Sequence, residues 1–200
     1  MKCEVCEFNY DESSPKDRRR HRKEHDSIVN GLLDVQLRRC RTLVKDGPRT
    51  VVVINSESAR FERLLAQTVS LIAAGDADYS NLAYAADEPP DERQVHIFLG
   101  ISDDRAQAYV CFERRSRIWQ YTWPEYDRRE THEGHAGRMW TIGYAWTSRG
   151  NRKTGWLKCV LDAASKHLGF GTQFAFYEPF TPDGEAAARA ICSSSFMIAK

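Results

Sequence analysis

The sequence predicts an α+β fold, in which helices flank a mixed β-sheet and a small separate module precedes the main domain. After residue 50 the pattern gives a strand, a helix, several antiparallel strands, a strand, a helix, a strand, a helix and a final strand. This order is typical of α+β layouts. The first 33 residues instead carry two cysteines and two histidines at regular spacing. We therefore expect a module at residues 1–33, a linker at 34–50 and a main domain at 51–200.

The composition is that of an ordinary globular protein. Of the 200 residues, 42% are hydrophobic and 28% are charged, and the formal net charge is +1. This near-neutral balance argues against a chain-wide electrostatic partner such as DNA or an anionic membrane. No stretch approaches the roughly 18 consecutive apolar residues of a membrane span, and no signal-peptide core follows the first residues. We expect a cytoplasmic protein, or a nuclear one in a eukaryote, without a membrane partner.

The N-terminal module has the ligand spacing of a zinc finger. Cys3 and Cys6 form a C-x2-C pair, and after fourteen residues His21 and His25 form an H-x3-H pair. Histidines four apart lie on the same face of a helix, and two thiolates with two imidazoles make the tetrahedral shell that Zn²⁺ prefers. Because four protein ligands close the site, we expect structural zinc. The remaining cysteines, interpreted as reduced core residues, are Cys40, Cys111, Cys159 and Cys192.

Cations crowd the helix that is predicted to carry the two histidines, which raises nucleic-acid binding as a possible role. They are Lys16, Arg18, Arg19, Arg20, Arg22 and Lys23. DNA-reading zinc fingers work as tandem arrays at roughly three base pairs per finger, whereas this chain has one finger. Asp17, Glu24 and Asp26 also dilute the positive charge. A solvated basic face is the favoured interpretation, and a weak nucleic-acid contact stays open.

The elements of the main domain follow from hydrophobic patterning. The β-branched run at 51–54 predicts a strand, and helical spacing predicts a helix over 61–74. Two apolar runs around Asp103-Asp104 predict a β-hairpin at 96–101 and 108–113. The remaining predictions are a loop over 75–93, a strand over 117–126, a polar loop over 127–138, a strand over 139–147, a helix over 153–168, a strand over 174–177, a helix over 184–191 and a strand over 195–199.

The junction between the strand at 139–147 and the helix that follows has the features of a phosphate site. Exposed amides at a helix N-terminus bind anions, and glycines such as Gly155 let the chain approach phosphates closely. Arg149, Arg152 and Lys153 add positive charge. Residues 152–157 resemble R-x-x-G-x-(G/A), the acyl-CoA motif of the GNAT acetyltransferases, except that Leu157 replaces the small last residue.

Four segments carry a wider family resemblance. They are Tyr10, Pro15 and Asp17 ahead of the paired histidines, FLGISDD at 98–104, IGYAWT at 142–147, and AFYEPFTPDG at 175–184. They resemble, in order, the finger, the central hairpin, the cofactor-binding strand and the C-terminal A-F-S-(D/Q)-P-T-x-x-G signature of the cohesin acetyltransferases, the ESCO/Eco family. The resemblance spans nearly the whole chain.

The resemblance implies a GNAT-like fold, acetyl-CoA as donor and a protein lysine as acceptor. The cofactor contacts are expected at Tyr144, Ala145, Trp146, Thr147, Arg152, Lys153, Thr154, Gly155 and Trp156. The chain departs from the family at Leu157, at Tyr177, where the family has serine, and at Phe180, which is an extra residue. These departures permit an alternative function, a catalytically degenerate scaffold whose finger binds protein or nucleic acid.

Direct transfer to a lysine requires a neutral amine, although the unperturbed pKa of lysine is about 10.4. A base must remove a proton, and hydrogen-bond donors must stabilise the developing oxyanion. The backbone amides of residues 144–147 are the candidate donors. Glu178, at the end of a predicted strand, is the first candidate base, and a plain surface carboxylate is its alternative. Asp183 is the second candidate, while His132 and His135 are loop residues for which solvated histidines are the simpler interpretation.

Overall fold

A mixed eight-stranded sheet organises the part of the chain that the computed structural model describes, namely residues 1–33, 35, 40–76, 94–130, 132, 134, 137–171, 173–178 and 180–199. The strands are β1 (Arg41–Asp46), β2 (Arg49–Asn55), β3 (His96–Ser102), β4 (Arg105–Arg115), β5 (Ile118–Thr122), β6 (Met139–Thr147), β7 (Ala175–Tyr177) and β8 (Ser195–Ala199). Their order across the sheet is β1-β2-β3-β4-β6-β7-β8-β5. β7 pairs in parallel with both β6 and β8, and the other pairs are antiparallel.

Helices cover both faces of the sheet. They are α1 (Pro15–Asn30), α2 (Arg60–Asp76), α3 (Trp123–Asp127), α4 (Trp156–Leu168) and α5 (Pro182–Ile191). Val160 and Ala164 of α4, with Ala188 of α5, pack in the core on one face. Ala66 and Val69 of α2 pack in the core on the other. None of these helices is long and apolar enough to cross a membrane, within the residues that the structure describes.

The predicted α+β architecture is confirmed, with two local corrections. β1 lies at residues 41–46, which were expected to be linker, because it is an edge strand whose exposed Arg41, Thr42 and Lys45 hide the strand pattern. The strand predicted over 117–126 ends at Thr122, where a capping box with Glu125 starts α3. Most of the loop predicted over 75–93 lies outside the described residues.

The N-terminal module contacts the main domain at the β3–β4 turn. Leu32 forms an antiparallel bridge with Ala106. Arg105 donates hydrogen bonds to the Gly31 carbonyl at 2.9 Å and to Asp26 at 3.0 Å. The module is therefore held against the sheet both by backbone pairing and by a partly buried ion pair.

Gly31 is the tightest backbone contact in this docking surface, and replacing it should destabilise the protein. Its φ of +88° and ψ of 164° belong to a region that is essentially restricted to glycine. A Cβ there would lie 2.3 Å from the Ala106 carbonyl oxygen. We expect Gly31→Ala to lower the free energy of unfolding by at least about 3 kcal/mol, since steric overlap adds to a backbone strain of roughly 1–3 kcal/mol.

Chemical denaturation of Gly31→Ala beside Gly47→Ala tests this expectation. Gly47 also has a positive φ, +54°, but a Cβ there would meet no atom within 4 Å. The control should therefore lose only the strain of a left-handed residue, roughly 1–2 kcal/mol. Equal losses in the two variants would contradict the close contact at Gly31.

Candidate active site

The four predicted zinc ligands converge on one point. The Cys3 Sγ lies 3.5 Å from His25 Nδ1, and the Cys6 Sγ lies 3.4 Å from His21 Nε2. All four ligand atoms lie within 4.8 Å of one another, the spacing that a shared metal ion requires. Hydrogen bonds from the backbone of Cys6 and Val5 lower the pKa of the Cys3 thiol to about 6. The residues thus fit a tetrahedral zinc ion, with thiolate and imidazole ligands and no open coordination position.

Local structure fixes the two imidazoles. Ser14 caps α1 by accepting a hydrogen bond from the Asp17 amide at 3.3 Å, so the helix starts at Pro15, six residues before His21. The Tyr10 ring stacks on His21 with centroids 3.9 Å apart. Phe8 lies on the same imidazole at 6.0 Å. These aromatic residues form the small apolar core that a module of this size needs around its metal.

A bulge and a separation of strands create an opening in the main sheet. β4 pairs Phe112 with Ile142 and then Cys111 with Tyr144, so Gly143 is an extra residue in β6. On its other side β6 pairs with β7 only at Thr141 and Ile142. The second half of β6, residues 143–147, therefore has no partner strand along this edge among the described residues.

The backbone amides of β6 alternate between the paired edge and this open edge. Ser148 donates its amide proton to the Gln107 carbonyl of β4 at 2.9 Å. Because amides alternate along a strand, those of Trp146 and Tyr144, two and four residues earlier, also point toward β4. The amides of Ala145 and Thr147 consequently face the opening. Arg152 Nε reaches the Thr147 carbonyl at 3.4 Å, which is consistent with this assignment. Of the four predicted oxyanion donors, the ladder leaves these two for a ligand.

The N-terminus of α4 lies directly beyond the open edge. Its N-cap, Gly155, has a φ of +86° and contributes no side-chain hydrogen bond to the first turn. Lys153 and Thr154 lie next to it and are exposed. The first-turn amides and the positive end of the helix dipole are thus available to an anion, as the sequence pattern predicts.

The arginines of this junction surround one carboxylate. Asp76, at the end of α2, is only 1% exposed at its side chain. Arg149 Nε donates to its Oδ1 at 2.6 Å and Arg152 Nη2 to its Oδ2 at 2.9 Å. Trp146 Nε1 donates to the same Oδ2 at 2.8 Å. The one buried negative charge of Asp76 thus holds both guanidinium groups at this junction.

Arg149 also joins this junction to the zinc module. Its Nη1 donates to the Val5 carbonyl at 2.6 Å, and its Nη2 pairs with Glu7 at 3.1 Å. Both partners lie in the knuckle that carries Cys3 and Cys6. The metal-binding knuckle and the candidate anion site are therefore linked through a single side chain.

Three of the predicted cofactor residues direct their side chains into the protein. The Tyr144 hydroxyl donates to the Ala73 carbonyl at 2.6 Å, and Trp146 holds Asp76 as described. Trp156 is buried against the sheet, where a Cβ at Gly100 would lie 2.7 Å from its ring. These residues can contact a ligand through their backbone while their side chains shape the site.

The two carboxylates predicted as bases occupy different environments. Glu178 follows β7 directly, and its carboxylate lies near the hydroxyl of Tyr126 of α3. Burial, together with this carboxylate, raises the pKa of Tyr126 to about 12. Asp183 is 78% exposed at its side chain and pairs with Arg152 Nη1 at 2.6 Å. His135 lies outside the described residues, and His132 lies 4.0 Å from Glu125.

Asp76 is a site residue that sequence reasoning missed. It lies in the stretch expected to begin a loop, and nothing in its immediate sequence marks it. Its partners Trp146, Arg149 and Arg152 are 70, 73 and 76 residues away. Only the fold brings these residues together.

Solved structures share this fold. The xEco2 acetyltransferase domain bound to a CoA conjugate matches with a TM-score of 0.64 and 16% sequence identity, covering 82% of this chain and 98% of that chain. A second structure of the xEco2 acetyltransferase domain matches with a TM-score of 0.60 at the same identity and coverage. No family model matches the sequence, and no curated protein matches it in sequence. The predicted GNAT-like fold is confirmed by these similarities.

Proposed function

We propose that this chain is an acetyl-CoA-dependent protein lysine N-acetyltransferase. The observation that carries the proposal is the opening beside β6, where the Gly143 bulge, the open edge of residues 143–147 and the uncapped N-terminus of α4 follow one another. This arrangement offers an extended groove that ends in an anion site. The xEco2 domain, which has the same fold, is bound to a CoA conjugate in one of its structures.

The groove assigns the predicted cofactor residues to two roles. The open edge of β6, at Ala145 and Thr147, is suited to the amide groups of a pantetheine arm, since both carry outward-facing backbone groups. The turn at Arg152, Lys153, Thr154 and Gly155, with the first amide of α4 at Trp156, is suited to a pyrophosphate. Tyr144 and Trp146 hold this edge against α2. The side chains of Tyr144 and Trp146 thus act mainly by positioning the backbone of β6.

The chemistry requires an oxyanion site and a proton acceptor. Acetyl-CoA supplies the activated acetyl group as a thioester. Of the outward-facing amides of β6, that of Ala145 lies nearer to the Gly143 bulge and is the donor that would stabilise negative charge on the acetyl oxygen. Of the two bases predicted from the sequence, Glu178 is the better placed, because it is half-buried directly after β7 whereas Asp183 is 78% exposed.

The zinc module serves this activity as a brace. Cys3, Cys6, His21 and His25 would hold Zn²⁺ in a closed shell, which supplies folding free energy rather than catalysis. Lys16, Arg19, Arg22 and Lys23 of α1 are exposed, and we assign to them only an accessory contact with a nucleic-acid backbone. Free thiol ligands and the use of acetyl-CoA favour the cytoplasm, or the nucleus of a eukaryotic cell.

An activity assay with a generic acceptor tests the proposed function. Zinc-loaded protein is incubated with acetyl-CoA and poly-L-lysine, release of the CoA thiol is followed, and acetyl-lysine is identified by mass spectrometry on the polymer and on the protein. We expect thiol release that depends on the protein and yields acetyl-lysine. Binding of acetyl-CoA without any acetyl-lysine would support the alternative, a catalytically degenerate scaffold.

A further inference from the structure

We propose that Glu113 of β4 is the carboxylate that takes the proton from the acceptor lysine. This assignment rests on the acetyltransferase function proposed above and names a residue of the same site. Glu113 is a charged residue on a central strand, and its side chain is only 9% exposed. Burying a carboxylate has a cost in desolvation, and carboxylates in such environments are frequent at functional sites.

The position of Glu113 coincides with the start of the opening. Its Oε1 lies 2.9 Å from the point where a Cβ on Gly143 would be. Gly143 is the bulge residue of β6, and the pairing of β6 with β7 stops at Ile142, one residue earlier. The absence of a side chain at Gly143 is what allows the carboxylate to approach the bulge. Glu113 thus lies where the two strands begin to diverge.

The groove leads from the anion site to this point. Four residues of extended strand separate Thr147 from Gly143, a distance of about 13 Å. A ligand whose phosphates bind at α4 and whose arm follows the open edge would therefore carry its far end toward the bulge. The amide of Ala145, an outward-facing donor, lies two residues from Gly143.

A fixed ion pair orients the carboxylate. Arg115 Nε donates to Glu113 Oε1 at 2.7 Å. The guanidinium of Arg115 stacks on the ring of Tyr177 at 3.8 Å from its centroid. Tyr177 is the residue at which the chain departs from the serine of the ESCO/Eco pattern. The departure has a structural use here, since the aromatic ring supports the arginine that holds Glu113.

The other two carboxylates are less suited to the role. Asp183 is 78% exposed and paired with Arg152 near the anion site, at the opposite end of the groove from Gly143. Glu178 lies near Tyr126, on the side of α3 and α5. Glu113 is the carboxylate that the structure places in contact with the bulge.

The lysine nitrogen loses two protons during the transfer. The Glu113 carboxylate accepts one proton from the lysine ammonium, and the neutral nitrogen forms a bond to the acetyl carbon. The carbon–sulfur bond then breaks, and the second proton lost by the nitrogen goes to the departing thiolate, directly or through water. The products are acetyl-lysine and free CoA thiol, and Glu113 returns its proton to solvent.

Glu113→Gln tests the assignment in the zinc-loaded protein, with acetyl-CoA and poly-L-lysine as substrates. Glutamine keeps the volume and can still accept the hydrogen bond from Arg115, so a merely structural role would survive. We expect kcat to fall at least about 100-fold, the low end of general-base contributions, while the acetyl-CoA dissociation constant changes less than about twofold. Glu57→Gln, which alters an exposed carboxylate before α2, is the matched control.

The alternatives give distinct results. A Glu113→Gln rate within threefold of the unaltered protein would overturn the assignment, as would a larger loss in Glu178→Gln. An unaltered protein that binds acetyl-CoA and never transfers the acetyl group would overturn it too, because no proton would then need to be accepted. Failure to bind acetyl-CoA at all would instead remove the proposed function.

Discussion

A protein with Cys3→Ser and Cys6→Ser should contain no zinc and should lose the folded structure of residues 1–33. Structural zinc contributes roughly 10–16 kcal/mol of apparent binding free energy in finger peptides, and this free energy is folding free energy. The four ligand atoms lie within 4.8 Å of one another, so removing both thiolates leaves two imidazoles and no adequate site. The measurements are elemental analysis and hydrogen exchange of the N-terminal amides.

The effect should extend into the main domain. Arg149 donates to the Val5 carbonyl and pairs with Glu7, and the same side chain holds Asp76. Disorder of the knuckle would release Arg149, so we expect a lower melting temperature and weaker acetyl-CoA binding. Cys192→Ser, which alters a half-buried thiol near the end of α5, is the control and should retain one zinc per chain. Full zinc content in the double variant would refute the ligand assignment.

Arg152→Glu should reduce acetyl-CoA affinity by at least about 100-fold, or roughly 2.7 kcal/mol of binding free energy. The substitution reverses a charge between Asp76 and Asp183, which lie 2.9 and 2.6 Å from the guanidinium. The substitution makes the charge at the anion site more negative by two units. Isothermal titration calorimetry with acetyl-CoA measures the loss, and circular dichroism reports whether the fold is retained.

The contact between Arg152 and Asp76 also predicts a change in the stability of the Arg152→Glu variant. The side chain of Asp76 is 1% exposed, so its negative charge depends on its two arginine partners. Leaving a buried charge with no partner costs about 3–5 kcal/mol of unfolding free energy, and losing Arg152 should cost part of this. Arg149 stays in place, so we expect a lower melting temperature with the fold retained. Lys166→Glu, at an exposed residue in the last turn of α4, controls for a general change of charge. Undiminished affinity in Arg152→Glu would remove the phosphate-site hypothesis.

The elements with strong local patterns could be predicted closely from the sequence. The strands predicted over 139–147 and 195–199 have those bounds in the structure, because apolar residues fill them and turn residues flank them. β1 was missed because its pattern is mostly exposed and charged, as befits an edge strand. α3 was missed although Thr122, Pro124 and Glu125 form a readable helix start; the neighbouring aromatic residues favoured a strand.

The candidate site also has residues that local sequence patterns suggest and residues that they do not. The zinc ligands could be predicted because their spacing is local, and a helix places His21 and His25 on one face. The anion site at the start of α4 stays a prediction, and it is suggested by a strand, glycines and a helix that follow one another in the chain. Asp76 and Glu113 could not be found, since their roles depend on contacts with Arg152 and Gly143 across the sheet and the helices. No local pattern encodes such contacts.

The most direct test of the acetyltransferase account is a calorimetric titration of the folded, zinc-loaded protein with acetyl-CoA. The groove beside β6 and the anion site at α4 predict saturable binding near one equivalent, weakened strongly by Arg152→Glu. Absence of binding in protein shown to be folded and to contain zinc would contradict the account, and would leave the chain a scaffold that has this fold without its cofactor.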